Sequence, residues 1–556
     1  MTDFLDEFLA HHFARQPVTA TFTGMHAHDA QLPDWRASAR AAEVAELEAL
    51  AGRLAVAQRD LPETTDAWLD LELARANADV RIAETRSGFF HDRNPALWTG
   101  EAIFGAVSLM LRPAPPWAPR LEALAARLDG VATFLEEARH AISAAPALWT
   151  ARARRECAAA QRLFADGLSL WLDTLPPDAV QTATSGAGRV RAAGDRAVAA
   201  FAGCDTWLAT LPDAGTAAMR AGEPLLALLV ARGHFEGDAP SALLAQAEAE
   251  IVEARATLDN RAAAYGGWEA AQAAMLDDHP SAEGFLAAFT RRWTECREFA
   301  AAHDLVRWEP WPLEYASIPT WGRAAAPDLY WLFYRSPAPY DRPTTHRYQV
   351  VPLEGLASAD VTQRLRQWHH AQVTLNHVVH HGALGHHVQN WHATFASRSR
   401  IGTIAAVDAA SRIAMFLGGS MAEGWACYAT HLADELGFLT PLESLSEQHT
   451  RVRMLARAIC DLRLHGESWT FDQVVSYYRE TVGMSEAVAT AEAVKNSMFP
   501  GTALMYWLGT RTILSLRDRE RARLGAAFTL RGFHDRLLSW GAVPVPLVAR
   551  RFAEVA

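Results

Sequence analysis

From about Ala37 to Ala302 apolar residues recur every three or four positions in a background of Ala, Leu, Glu and Arg, a spacing that only packed helices satisfy over such a length. Leu50, Leu54 and Val56, and later Leu121, Leu124, Leu128, Val131 and Phe134, mark the stripes. The runs Asp60-Leu-Pro-Glu63, Leu175-Pro-Pro-Asp178 and Leu211-Pro-Asp-Ala214 break the helices and are too short to be flexible linkers. The helical pattern resumes from Asp360 to the end, interrupted at Phe499-Pro-Gly501 and Gly541-Ala-Val-Pro544, and no repeat period is present. Half of the 556 residues are hydrophobic, which excludes a disordered chain. The expected architecture is mainly α, one unit over residues 1–556, with two lobes of about 1–305 and 306–556 as the alternative.

The texture changes between Trp308 and Leu356, where Pro, Trp and Tyr cluster. Asp328-Leu-Tyr-Trp-Leu-Phe-Tyr-Arg335 and His346-Arg-Tyr-Gln-Val-Val351 read as short strands flanking a proline-rich turn, a small β hairpin at most. This aromatic segment either walls a substrate cleft or caps the core.

A formal charge of −12 with no long basic run argues against nucleic acid. The opening Met1-Thr-Asp-Phe-Leu-Asp-Glu7 is acidic where a signal peptide is basic and then apolar, so a cytoplasmic location is expected. The apolar windows Leu225–Val230 and Ile401–Met415 are too short, or are broken by Asp408 and Arg412, so no membrane span is expected. Cys157, Cys204, Cys296, Cys427 and Cys460 form no Cys-x-x-Cys pair and read as buried thiols.

The chemistry concentrates between Leu375 and His392, which holds six of the 22 histidines in 18 residues. His377 and His381, four apart, share a face of an α-helix, the spacing with which two imidazoles hold one zinc ion. His380 and His386 are six apart, which on a straight helix separates them by ~120° and ~9 Å. Bringing those two together requires a bulge, and Gly382 and Gly385 within the interval permit one.

The stretch His380-His-Gly-Ala-Leu-Gly-His-His-Val-Gln389 resembles the His-Glu-x-x-Pro-Gly-His-His-x-Gln motif of the bacterial family called domain of unknown function 885, which looks like zinc peptidases of the gluzincin type. Glu423-Gly-Trp-Ala-Cys-Tyr428 matches its Glu-Gly-Trp-Ala-x-Tyr motif. Asp461-Leu-Arg-Leu-His465, Pro500-Gly-Thr-Ala-Leu-Met-Tyr-Trp-Leu-Gly509 and the closing Phe533-His-Asp-Arg-Leu-Leu-Ser-Trp-Gly-Ala-Val-Pro544 fit as well, as do Gly24-Met-His-Ala-His-Asp29 and Leu32-Pro-Asp34 at the other end. The resemblance is specific in the second half and weak between about residues 40 and 300. It implies a metallopeptidase-like helical fold with a central cleft, and His380, His386 and Glu423 as metal ligands, with His387 a close alternative to His386 and His377 the alternative that spacing offers. Two histidines and a carboxylate with one open position is also how catalytic zinc is held.

The departures bear on function. Where the family motif has its glutamate, which takes a proton from water during hydrolysis, this chain has His381; that proton transfer is worth about two to four powers of ten in rate. Leu384 replaces the motif proline, Thr502 a glutamine, and Lys495-Asn496 an Arg-Tyr pair. Lys495 is the only lysine of the chain, and an ammonium serves as acid, base or carbonyl trap where arginine does not. The reading is a metal-dependent, metallohydrolase-like enzyme holding a divalent ion, Zn(II) first and Fe(II) as an alternative, and acting on a small or peptide-like substrate. In it His381 moves protons, His465 and Tyr506 stabilise an oxyanion, and Lys495 binds substrate or assists proton transfer. The competing readings are a binding protein that has lost turnover and simple metal buffering.

Overall fold

Long helices follow directly from the apolar stripes of the first half, and the computed structural model describes residues 4–111, 116–177, 184–410 and 417–554. Residues 1–3, Asp178 and the 411–415 end of the apolar window fall outside these ranges. About 72 % of the chain is helical and 2 % is strand, which places it in the mainly α class. Leu50 and Leu54 are buried on the helix Ala37–Gln58, and Leu121, Leu124, Leu128, Val131 and Phe134 on the helix Trp117–Ala141. Val56 is not part of its stripe: it is 60 % exposed, because a step of two from Leu54 turns it ~200° around the helix. Asp60–Glu63 separates Ala37–Gln58 from Asp66–Ser87. All five cysteines are buried free thiols. Among the described residues no helix is long and apolar enough to cross a membrane.

The aromatic segment departs from the expected hairpin. β1, Leu313–Ser317, pairs in parallel with β2, His346–Val350, in the register Leu313↔His346 to Ser317↔Val350. Asp328–Arg335 forms no strand: a 3₁₀ turn ends at Asp328, and the run touches β2 through the Gln349 N–H to the Phe333 carbonyl (2.8 Å) and Trp331 Nε1–H to Gln349 Oε1 (2.6 Å). Its side chains point into separate clusters, with the Arg335 guanidinium 4.7 Å from the Phe22 ring centroid and 4.9 Å from that of Phe104, so no alternating face exists to carry a ladder.

The two halves of the chain interlock. Asp70 accepts from the Ser399 hydroxyl and from the Arg400 and Ile401 N–H groups (3.0 and 3.1 Å), Arg551 donates to the Glu63 and Thr64 carbonyls (2.5 and 2.6 Å), and Trp149 donates to Ser497 (2.9 Å). The helix Pro441–His465 starts on a capping box in which Thr440 and Glu443 satisfy each other's backbone N–H. Glu443 also accepts from Thr374 (2.5 Å) and Arg292 (2.9 Å), which fastens this helix to the start of the histidine segment.

Candidate metal centre

The bulge demanded by the His380–His386 spacing is present. Residues Val373–Gly382 wind as a π-helix, the chain breaks at Ala383–Gly385, and an α-helix restarts at His386 and runs to Phe395. Widened winding and a break leave carbonyls without their usual partners, and ring donors take them up. Tyr315 O–H donates to the His377 carbonyl (3.0 Å), Trp293 to Gly382 (2.6 Å), Trp425 to Leu384 and Gly385 (3.0 and 3.2 Å), and His381 Nδ1–H to Asn376 (2.5 Å). Gly385 is obligatory, since a Cβ there would lie 2.0 Å from the His380 carbonyl oxygen. Gly385→Ala is therefore expected to cost about 3 kcal/mol of stability, visible as a lower denaturation midpoint; an unchanged midpoint would show that the break tolerates a side chain.

The break swings His386 back toward His380, their ring centroids 4.9 Å apart. One nitrogen from each of His380, His381 and His386 lies within 4.8 Å of the others. Glu423, on the helix Gly419–Glu435, completes the group: its Oε2 is 3.1 Å from His380 Nε2 and 3.6 Å from His386 Nε2. Burial pushes His380 below its ordinary value against the opposing pull of Glu423, and burial with the neighbouring His380 and His386 pushes His381 well below it. Burial also opposes ionisation of Glu423, but His386 and His380 outweigh it and hold the carboxyl well below its usual range. Neutral imidazoles beside an ionised carboxylate are the protonation states that bind a divalent ion.

The other expected residues divide. His377 is turned away: its ring stacks on Trp368 at 4.1 Å and its Nδ1 lies 2.5 Å from the Tyr348 hydroxyl, because π winding removes the shared face that an α-helix would have given it with His381. His387 is also turned away, fully buried, stacked on Trp311 at 4.6 Å and donating from Nε2 to the Trp311 carbonyl (2.8 Å). His465 is fully buried with both nitrogens occupied, Nδ1 accepting from the Ala221 N–H (3.2 Å) and Nε2 donating to the Asn496 carbonyl (3.1 Å), so it has no free donor for an oxyanion. Tyr506 and Lys495 do reach the centre's field. Burial and the Glu423 charge raise the Tyr506 phenol well above its ordinary value, and burial together with Arg457 lowers Lys495 to about 8.

Several sequence motifs turn out to hold the scaffold. Asp461 accepts from the Gly501 and Ala503 N–H groups (2.9 and 2.8 Å) and fixes the turn ahead of the helix Leu504–Leu524. A Cβ on Gly424 would lie 2.5 Å from Gly509 Cα, and one on Gly509 would lie 2.0 Å from the Ser420 carbonyl, so both glycines permit the close crossing that carries Glu423 inward. His26 binds Asp29 and Asp341 (2.9 and 2.8 Å), which together raise it to about 9 and tie the N-terminal motif to the aromatic segment.

Sequence reasoning missed the surroundings of the cluster. A cavity of about 40 Å³ beside His381, His386 and Glu423 is walled by Tyr334 and Ser336 of the aromatic segment and by Asp408, whose carboxylate accepts from Ser336 N–H (3.1 Å) and Oγ–H (2.8 Å). Gln389 lines it with both polar side-chain atoms buried and unpartnered among the described residues; its place in the His-His-x-Gln stretch was the available signal. Glu447, buried on the Pro441–His465 helix, is pushed up to about 7 by burial over the pull of Arg451. A carboxyl whose folded value is raised gives stability that is complete below its unfolded value of 4.5 and is lost as pH rises through about 7. Glu447→Gln should accordingly flatten the fall in melting temperature between about pH 5 and pH 8. A variant that tracks the parent across that range contradicts the assignment.

Fold and site together define a mainly helical protein with a buried histidine–carboxylate cluster on a broken helix. The chain belongs to the family described as bacterial proteins of unknown function (DUF885), whose model matches residues 17–552. No curated protein matches it. Two solved structures share the fold at 19 % identity: one described as a putative lipoprotein of unknown function from Shewanella oneidensis (TM-score 0.77, 99 % of each chain covered), and a putative lipoprotein from Colwellia psychrerythraea (TM-score 0.67, 99 % of this chain and 98 % of that one).

Proposed function

We propose that this chain is a metal-dependent enzyme on a scaffold of the zinc-peptidase kind, with His380, His386 and Glu423 holding a divalent ion and a small or peptide-like molecule as substrate. One observation carries the reading. The spacings of 3.1 and 3.6 Å from the Glu423 oxygen to the two Nε2 atoms bracket the ~3.3 Å edge of a tetrahedron with bonds of ~2.0–2.1 Å, so the donors need little movement to share one ion. When bound, such an ion polarises a carbonyl or activates water. Glu423 supplies the single negative charge of the ligand set, and the Tyr506 phenol, raised well above its ordinary value by burial and the Glu423 charge, keeps its proton.

His381 supports a second feature of this reading. Its Nδ1–H is held by the Asn376 carbonyl, the outer-shell bond that metal-ligating imidazoles characteristically make, so the lone pair sits on Nε2. We assign His381 as an added ligand in place of a base, which argues against ordinary peptide cleavage. Three imidazoles and a carboxylate also fill a tetrahedral zinc, and an open position then requires an ion of higher coordination number, which favours Fe(II) as the alternative. Metal analysis of the purified chain tests the reading: about one divalent ion per chain is expected, and a chain that takes up none on reconstitution overturns it. A cytoplasmic location belongs to the same reading, and cell fractionation decides it against the membrane attachment that the names of the two solved relatives suggest.

A further inference from the structure

The cavity of about 40 Å³ beside the metal centre is walled by polar side chains that mostly satisfy one another. Asn390 Nδ2–H donates to the Tyr334 hydroxyl (3.4 Å), Ser336 donates to Asp408 from its N–H (3.1 Å) and Oγ–H (2.8 Å), and His381 Nδ1–H is taken up by the Asn376 carbonyl. Gln389 is the exception. It is 1 % exposed, and neither its Oε1 nor its Nε2 has a hydrogen-bond partner among the described residues. It follows His386 by three positions on the helix His386–Phe395, which sets the two side chains one turn apart on the same face, and it lines the cavity together with His381, His386 and Glu423.

A buried donor or acceptor left unmatched lowers stability, and Gln389 carries one of each in a single plane. The complement of such a carboxamide is a group that offers an acceptor and a donor side by side. A trans peptide unit does not, because its N–H and C=O point to opposite sides. A primary amide does: the N–H syn to its carbonyl lies on the same edge, so two carboxamides pair through two N–H···O bonds. Space agrees, since the cavity has room for about three water-sized groups, the heavy atoms of a terminal CO–NH₂, and none for a chain that continues on both sides. We propose that Gln389 recognises the primary carboxamide of a small substrate through this paired contact, and that the reaction is hydrolysis of that amide. The water oxygen bonds to the carbonyl carbon, the C–N bond breaks and a water proton goes to the departing nitrogen, giving a carboxylic acid and ammonia with no change of oxidation state. The hydrolysis rests on the metal reading; the recognition by Gln389 does not.

Titration of acetamide and N-methylacetamide into zinc-loaded and chelator-treated protein, followed by ligand-observed NMR, tests the contact. N-methylacetamide keeps the carbonyl and loses the syn N–H, so acetamide should bind at least about tenfold more tightly in both forms. Gln389→Met, an unbranched apolar side chain of similar length, should abolish that preference with zinc content unchanged, and Gln389→Leu should do the same. Because each variant removes two unmatched buried polar atoms, neither should melt below the parent, which guards against misfolding as the cause. Equal binding of the two amides by the parent, as when a buried water already satisfies Gln389, overturns the proposal, and so does a preference that survives in both variants. Release of methylamine from N-methylacetamide as fast as ammonia from acetamide by the zinc-loaded protein overturns it as well. A preference for acetamide in a protein that takes up no zinc upholds the recognition and defeats the metal reading. Bound zinc without the preference does the reverse.

Discussion

Glu423→Ala is expected to weaken Zn(II) binding by at least about 100-fold, the upper end of what loss of an outer-shell partner costs, because Glu423 is a ligand and the only anion of the set. The same change should erase metal-linked stability. An ion present at about 100 times its dissociation constant adds ~2.7 kcal/mol, so the rise in melting temperature that zinc gives the parent should largely vanish in the variant. Without metal the variant should already melt below the parent, since His386 and His380 stabilise the ionised Glu423 carboxylate, so the zinc-dependent rise and not the apo value is the readout. Glu423→Gln, which keeps the shape and removes the charge, should fall between the two. Retention of zinc at parental affinity in Glu423→Ala would place the ion elsewhere and sink the proposed ligand set.

How far the sequence foretold this centre depends on which interactions are local. The helical texture, the histidine density and the glycine-permitted bulge between His380 and His386 are properties of short spacings, and they were legible. The consequence of the bulge for His377 was not, because the four-residue rule that pairs it with His381 assumes α winding, and Val373–Gly382 winds as a π-helix. His387 and His465 look like ligand or donor candidates by motif, yet each spends a ring N–H on a distant carbonyl, that of Trp311 or Asn496, which no local pattern announces. The strand at His346 was legible, but its parallel pairing with Leu313–Ser317 escaped for the same reason: aromatic content marked Asp328–Arg335 as its partner, while the ladder was decided by a segment some thirty residues away. Lys495 was conspicuous as the only lysine, but its place beside Arg457 and Tyr506 appears only when three helices are brought together.

His381→Glu should have the opposite sign, a gain. The resemblance noted in the sequence implies a glutamate at this position, and a carboxylate there can accept a proton from an attacking water, a contribution of about two to four powers of ten in rate. The parent's imidazole is poorly suited to that task, since its Nδ1–H is held by Asn376 and burial among His380 and His386 depresses its basicity well below the ordinary value. Substitution should therefore raise amide hydrolysis by about 10²-fold or more over the parent at neutral pH, with His380, His386 and Glu423 still binding zinc. The two roles of His381 separate in the metal measurement. As a fourth ligand, its loss to glutamate should change the coordination, seen as a spectral shift in the cobalt-substituted protein; as a base alone, it should change the rate and leave the spectrum alone. A variant that binds zinc normally, shows the parental cobalt spectrum and gains no hydrolysis would mean that His381 is neither, and that the departure from the motif is not what separates this chain from a peptidase.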